Sequence, residues 1–181
     1  MSLVTVDEVK AIGRIDYSTH DTELQLLIDG AEAYVEEYCN IKLTSATYTD
    51  ERVDADGGPD LYPRNLPITD VTDVKDAWDD DTAEDASEYY FTDTRIVQDL
   101  RDGAWEEGEL RWKVTYEAGY DASTAPKGLK NAIIGLALLS YNNADSKHSN
   151  SAQGLSLSWD KLAEGNINAQ LDRFSLYRYV E

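Results

Sequence analysis

The chain has 181 residues, of which 36 are acidic and 16 are basic, so its formal net charge at pH 7 is −20. This charge and the lack of a basic stripe argue against a sequence-specific reader of nucleic acids, because such readers neutralise phosphates with Lys and Arg. A single cysteine, Cys39, excludes an internal disulfide framework. We see no signal peptide and no apolar run of about 18 residues, so we expect a protein that is neither exported by that route nor membrane-spanning.

The acidic residues are spread along the whole chain, and two explanations of the charge stay open. We favour a surface adapted to high salt, as in haloarchaea. At 0.1 M salt the Debye length is about 10 Å and such a surface repels itself, whereas at 1 M it is about 3 Å and the repulsion largely vanishes. The other explanation is a basic partner. A disordered acidic tail is disfavoured because the acids do not form one block.

Two helices are predicted near the N-terminus. Thr5 and Glu8 have capping-box spacing and Gly13 is a suitable stop, which predicts a first helix over 5–13. From Asp21 to about Asn40 the apolar residues recur with a period near 3.6, which predicts a second, amphipathic helix. Its apolar positions are Leu24, Leu27, Ile28, Ala31, Tyr34, Val35 and Tyr38.

Residues 43–119 have the pattern of strands. Short alternating runs are separated by DGGPD, which is typical of a hairpin turn, and by two prolines. ITDVTDV, YYFTDTRIVQD and GELRWKVTYEAGY predict further strands, the last with Leu110, Trp112, Val114 and Tyr116 on one face. DAWDDDTAEDASE reads as a polar loop. Together these segments predict a small antiparallel sheet inserted between helices.

A third helix is predicted to begin at Pro126, which suits the first helical position. Its apolar residues extend almost all round, so it must be covered on more than one side. A polar link over 143–154, a possible short strand LSLSW and a final amphipathic segment with Ile167, Leu171, Phe174 and Tyr177 follow. The predicted fold is therefore α+β: a mainly α-helical bundle, residues 1–145, with a small antiparallel β-sheet inserted at about 43–119. A linker and an extended C-terminal arm occupy 146–181.

No pattern in the chain predicts catalysis, a metal or a cofactor. DERVDADGGPD lacks the third ligand and the closing acid of a calcium loop, and a solvated turn explains it better, as it does DDD at 79–81. His20 and His148 lie in polar links far apart in sequence. Cys39 has no adjacent cation to lower the pKa of its thiol. We expect no enzyme.

Two aromatic groups invite a binding interpretation. Trp105, Trp112, Tyr116 and Tyr120 favour a sheet face packed on a helix, although a soluble halophilic module that holds sugar or peptide stays open. The segment FSLYRYVE lies beyond a polar link, yet its apolar side chains must be buried against the chain or a neighbour. These side chains are Phe174, Leu176, Tyr177, Tyr179 and Val180.

Four stretches, in this order, resemble the head–tail connector (adaptor) proteins of tailed bacteriophages and archaeal tailed viruses. They are VTVDEVKAIGRIDYSTHDTELQLLIDGAEAYVEEYC, LPITDVTDV, VTYEAGYDASTAPKGLKNAIIGLALLSYNN and GLSLSWDKLAEGNINAQLDRFSLYRYV. The resemblance implies a structural protein of the virion neck, made in the host cytoplasm and without catalysis. It implies a ring of twelve subunits that binds the portal protein and a neck or tail protein.

The same resemblance implies roles for two sets of residues. The C-terminal arm, with Phe174, Leu176, Tyr177, Tyr179 and Val180, would dock on the portal or an adjacent subunit, and Ile133, Leu136 and Leu139 of the third helix would pack between subunits. An acidic ring would also let viral DNA slide through it without sticking. Another neck component, such as a stopper or a tail-completion protein, is the alternative.

Overall fold

The computed structural model describes residues 2–79, 81–99, 103–146 and 165–175. The chain divides into two compact units. The α unit contains the residues up to Leu43 together with those from Asp121 onward, and the β unit is Thr44–Tyr120.

Four helices are described in the α unit. They are α1 (Val6–Gly13), α2 (Asp21–Cys39), α3 (Lys127–Ser146) and α4, residues 165–171. The predicted capping box of α1 is confirmed: the Thr5 hydroxyl accepts the Glu8 N–H at 3.2 Å, and the Glu8 carboxylate accepts the Thr5 N–H at 2.8 Å. Both α1 and α2 end at a residue in the left-handed conformation, Arg14 and Asn40. The first two helices were thus predicted almost to the residue.

The apolar stripe of α2 forms one side of the α-unit core, with Leu24, Ile28 and Val35 fully buried. The helix α3 contacts both α1 and α2, and its Leu129 and Ile133 are also fully buried. Within the described residues, no helix combines the length and the apolar character needed to cross a membrane.

Seven strands are described in the β unit, and all their pairings are antiparallel. A four-stranded sheet has the order β1–β7–β3–β4, and a three-stranded sheet has the order β2–β6–β5. The strands are β1 (Ala46–Ala55), β2 (Asp60–Leu61), β3 (Ile68–Asp76), β4 (Thr82–Ala83), β5 (Tyr89–Phe91), β6 (Ile96–Gln98) and β7 (Gly108–Ala118).

The strand β7 is central to the larger sheet and supplies much of the β-unit core. Trp112, Val114 and Tyr116 alternate along one face and are all buried, as a period of two predicts. Trp105 is 1% exposed and packs edge-on against Trp112, with ring centroids 4.8 Å apart. Leu110 was predicted on the same face, which is wrong: it is 40% exposed and has φ 51°.

The prediction of a mainly helical bundle with one small inserted sheet is wrong. The described part of the segment between the helices contains seven strands in two sheets and has its own buried core. DGGPD does not close a hairpin either, because β1 pairs with β7 and β2 pairs with β6. The error has a physical cause. Alternation of side chains marks a strand, but its partner is set by long-range packing, and strands of two or three residues show almost no alternation.

The chain closes the β unit through a close approach at Gly119. Ser45 N–H donates to Tyr120 C=O at 2.8 Å. Gly119 has φ 105°, and a Cβ there would lie 2.3 Å from the carbonyl oxygen of Thr44. Only glycine combines this φ with this contact, so the sequence AGY marks the end of the unit for a steric reason.

Candidate interaction surfaces

The predicted packing positions on α3 are not equivalent. Ile133 is fully buried in the α unit, whereas Leu136 and Leu139 are half-buried. The apolar character of α3 is explained in part by α1 and α2 and in part by α4, since a Cβ at Gly135 would lie 3.2 Å from Cδ1 of Ile167. Leu136 and Leu139 are therefore the two of these three side chains with surface left for a neighbour.

The segment after the polar link is attached to α2 through α4. Leu171 is fully buried, Tyr38 hydroxyl donates to Asp172 at 2.7 Å, and Tyr34 hydroxyl donates to Asn168 at 3.1 Å. Phe174 is half-buried, with its ring 3.0 Å from where a Cβ of Gly128 would lie. The start of the predicted arm thus folds onto its own unit.

The remaining four arm residues lie outside the described residues. They are Leu176, Tyr177, Tyr179 and Val180. Their docking role stays a prediction.

The aromatic set in the β unit is core and not a binding platform. Trp105, Trp112 and Tyr116 are between 0% and 3% exposed, so their faces are closed to a sugar or peptide. Tyr116 hydroxyl donates to the Glu51 carboxylate at 2.7 Å and accepts the backbone N–H of Asn65 at 3.1 Å. Burial, followed by the bond to Glu51, raises the pKa of Tyr116 above its ordinary 10.0.

The carboxylates at the end of β1 and in the turn after it accept backbone N–H groups of the chain. Asp56 accepts the N–H of Gly58 at 2.9 Å, and Asp54 accepts the N–H of Leu110 at 2.6 Å. In the part of the chain that the structure describes, no three His, Cys, Asp or Glu side chains cluster in a way that could hold a metal ion. The solvated-turn interpretation fits these contacts.

The histidine and cysteine also have structural partners. His20 Nδ1 lies 2.8 Å from the Glu23 carboxylate, and the ring packs edge-on against Tyr17 and Tyr141. Cys39 is fully buried in α2, and His148 lies outside the described residues. Neither described side chain has the oriented partners of a nucleophile or a base.

A groove of about 340 Å³ lies along the end of β1 in the β unit. Its walls include Arg52 and Arg64 as well as Asp54, Asp56 and Asp60. Asp60 is paired with Arg95 at 3.0 Å. Because the walls carry both charges, the groove does not favour a ligand of one sign.

The turn between β3 and β4 is built on one buried ion pair. Asp76 is 6% exposed and accepts from Nε of Arg111 at 2.9 Å, while its other oxygen accepts the N–H of Trp78 at 2.8 Å. Arg111 also pairs with Glu106 and lies 5.4 Å from the centre of the Trp78 ring. These contacts fix the backbone and the indole of a segment that sequence reasoning treated only as a polar loop. A tryptophan inside that acidic run was the signal that could have identified it.

Comparison with known proteins gives these surfaces their context. A family model described as "HCP: Head completion protein" matches residues 2–169. The chain belongs to the head completion protein family. This membership supports a structural head–tail connector role of the kind that the sequence resemblance implied, and it does not distinguish bacterial from archaeal viruses. No protein with a curated description matches the chain in sequence.

Solved structures share the fold of this head completion family member. A chain of "Neck of empty GTA particle computed with C6 symmetry" is 19% identical, with a TM-score of 0.63, and the match covers 98% of this chain and 92% of that one. A chain of "Neck of native GTA particle computed with C12 symmetry" is 20% identical, with a TM-score of 0.59 and coverages of 94% and 90%. A chain of "Virion of native gene transfer agent (GTA) particle" is 19% identical, with a TM-score of 0.59 and coverages of 98% and 92%.

Proposed function

We propose that the chain is a structural subunit of the virion neck that acts as a head–tail adaptor: a ring of twelve copies between the portal protein and a neck or tail protein. The observation that carries the proposal is the family match over residues 2–169. The shared fold with chains of neck structures, one of them described with C12 symmetry, supports the location and the number of copies.

The net negative charge is compatible with a conduit for DNA. The chain carries a formal charge of −20, and a ring of such chains repels phosphates, so DNA passes without being held. We propose that the ring lines the DNA channel in this way.

Native mass with and without the portal tests the adaptor role. Light scattering after size exclusion, in about 3 M salt to screen the acidic surface, should give a species of twelve times the 20.3 kDa chain mass, alone or added to the purified portal. A stopper or tail-completion protein would ignore the portal and bind the adaptor or tail instead. A monomer that ignores every neck protein would contradict the proposal.

Two sets of side chains are proposed to make the contacts. The arm residues would dock on the portal or an adjacent subunit, Phe174 through the part of its ring that stays exposed beside Gly128. Leu136 and Leu139 would pack between copies, whereas Ile133 is fully buried in the α unit. Phe174→Ala combined with Tyr177→Ala should weaken portal attachment at least ten-fold while the circular dichroism spectrum stays unchanged. Tyr90→Ala, an exposed aromatic of the β unit, is the matched control and should bind normally. Normal joining of capsid and tail by the double variant would contradict the role of the arm.

A further inference from the structure

The largest exposed aromatic side chain in the described structure lies at the β3–β4 turn. Trp78 is 62% exposed, although its position is fixed by three contacts. Its backbone N–H donates to Asp76, its ring faces Arg111, and its Cη2 lies 3.2 Å from where a Cβ of Gly108 would be. An indole that is both exposed and fixed loses little conformational entropy on binding, which is the property of interface hot spots.

A second apolar side chain is held outward at the same end of the sheet. Leu110 is 40% exposed and adopts φ 51°, a conformation that costs energy for a residue with a Cβ. Its N–H donates to Asp54 at 2.6 Å, and its C=O accepts from Arg52 at 3.0 Å. This irregularity at the start of β7 removes Leu110 from the buried face on which alternation would place it. Residues held in such sparsely populated conformations cluster at active sites, ligand clamps and switch regions.

The charge around these two side chains is negative. The nearby cations have partners within the chain: Arg111 pairs with Asp76 and Glu106, Lys113 pairs with Asp81, and Arg52 donates to the Leu110 carbonyl. Exposed carboxylates adjoin Trp78 and Leu110 in sequence, at Asp79, Asp81, Glu106, Glu107 and Glu109. Asp81 and Glu106 are already paired within the chain, so we call Trp78, Leu110 and the other three acids, Asp79, Glu107 and Glu109, the Trp78 patch.

We propose that the Trp78 patch docks into an apolar pocket rimmed by Lys and Arg on a different protein of the assembled neck. This inference rests on the proposed function, which supplies the neighbouring protein. The indole and Leu110 would fill the pocket, and Asp79, Glu107 and Glu109 would pair with the rim. The complementary charges would steer the encounter and fix its orientation, while the buried indole would contribute most of the affinity.

A second copy of the chain fits this surface less well. On a second copy, a basic rim could be supplied by Arg52 and Arg64 of the β1 groove, but this groove also contains three aspartates. It lies at the same end of the sheet as Trp78, because Ala55 of β1 pairs with Gly108 of β7. Because its aspartates outnumber its arginines, this groove would repel the acids of the Trp78 patch and does not provide a basic rim.

Site-specific photocross-linking in the intact particle tests the proposal. Trp78→p-benzoylphenylalanine is introduced into the chain, particles are purified and irradiated, and the products are identified by mass spectrometry. We expect a cross-link to another neck protein, at a peptide whose neighbours include Lys or Arg. The same substitution at Tyr90, which is 57% exposed in the three-stranded sheet, is the matched control and should not give this product.

Charge reversal separates the steering acids from the indole. Asp79→Lys with Glu109→Lys changes two exposed carboxylates that have no ion pair among the described residues. We expect the cross-link yield to fall at least five-fold, with thermal unfolding unchanged. Trp78→Ala should reduce the number of joined particles at least ten-fold, whereas Tyr90→Ala should not.

The remaining outcomes distinguish failure of this inference from failure of the proposed function. A particle that contains the chain but gives no cross-link from position 78, or gives one only to a second copy, overturns this inference and leaves the proposed function standing. If the charge reversal leaves the cross-link yield unchanged, the partner's pocket has no basic rim and that part of the inference is wrong. Particles that lack the chain altogether overturn the proposed function and, with it, the inference.

Discussion

At the scale of single residues, the β unit depends on one buried polar cluster. Tyr116 is fully buried, and its hydroxyl bonds both Glu51 and Asn65. Asn65 also donates to Glu51 at 3.0 Å, so the loop before β3 is bonded directly to the sheet. A cluster in which each buried group has a partner stabilises, whereas removal of one member leaves the others unsatisfied.

Tyr116→Phe should therefore destabilise the chain by about 1–2 kcal/mol, since it leaves the carboxylate and the amide without the hydroxyl. Urea unfolding should show a lower midpoint with an unchanged slope. Tyr62→Phe is the control. Because Tyr62 is 45% exposed, this substitution should change the free energy of unfolding by no more than about 0.5 kcal/mol. Equal losses for the two variants would contradict the role of the cluster.

The only cysteine of the chain should be inert in the folded protein. Burial, followed by the negative charge of Asp172, raises the pKa of the Cys39 thiol from 9.0 to about 11. Two pKa units lower the thiolate fraction roughly 100-fold at pH 8. Labelling with Ellman's reagent should thus be at least that much slower in buffer than in urea. Similar rates in both solutions would mean that α2 opens readily around Cys39.

At the scale of elements, the β3–β4 turn should depend on pH through Asp76. Hydrogen bonding from Arg111, opposed by burial, holds the pKa of Asp76 below 3.8. A depressed folded pKa contributes stability above the unfolded value, and this stability is lost as the pH falls through the folded value. Asp76→Asn should cost about 1–2 kcal/mol at pH 7, and the difference from wild type should narrow below about pH 4.

Chemical unfolding of the wild-type chain and of Asp76→Asn between pH 3 and pH 7 measures this difference in stability. Asp81→Asn is the matched control, because Asp81 also pairs with a cation, Lys113, but is 51% exposed; its effect should be much smaller. If the difference in free energy of unfolding between wild type and Asp76→Asn stays constant from pH 3 to pH 7, the charge of the Asp76 carboxylate does not contribute to stability.

The sequence predicted some elements well because their signals are local. Thr5 with Glu8, and the apolar period that ends at Asn40, are contained within the helices that they define. Alternation in β7 was equally clear for Trp112, Val114 and Tyr116. Sheet partners were not predictable, since β1 and β7 are separated by more than 50 residues, and no short pattern records such a pairing.

The candidate surfaces could be predicted from the sequence only where they follow from the local periodicity of an element. The half-buried Leu136 and Leu139 follow from the excess apolar surface of α3, which periodicity reveals. Exposure of Trp78 and Leu110 does not follow from any pattern. It results from the Asp76–Arg111 pair, 35 positions apart in sequence, and from the positive φ of Leu110, whose backbone bonds Asp54 and Arg52 more than 50 positions away.

At the scale of the whole molecule, the dominant feature is a formal charge of −20 on 181 residues. Self-repulsion of such a surface opposes the compact state at low ionic strength. The energy is screened when the Debye length falls from about 10 Å at 0.1 M to about 3 Å at 1 M salt. If the charge reflects adaptation to high salt, screening should stabilise the fold, and the melting temperature should rise between 0.1 M and 3 M KCl.

A neutralised variant separates this effect from the general action of salt on apolar surface. Asp16, Glu37, Asp70, Glu109 and Glu117 are exposed, and changing all five to the corresponding amides removes a quarter of the net charge of −20. Because self-repulsion grows with the square of the charge, the charge-dependent part of the rise should fall by roughly 40%. The variant should also be the more stable protein at 0.1 M and lose this advantage at 3 M. A melting temperature that stays flat or falls with salt in the parent chain would contradict high-salt adaptation and favour a basic partner as the reason for the charge.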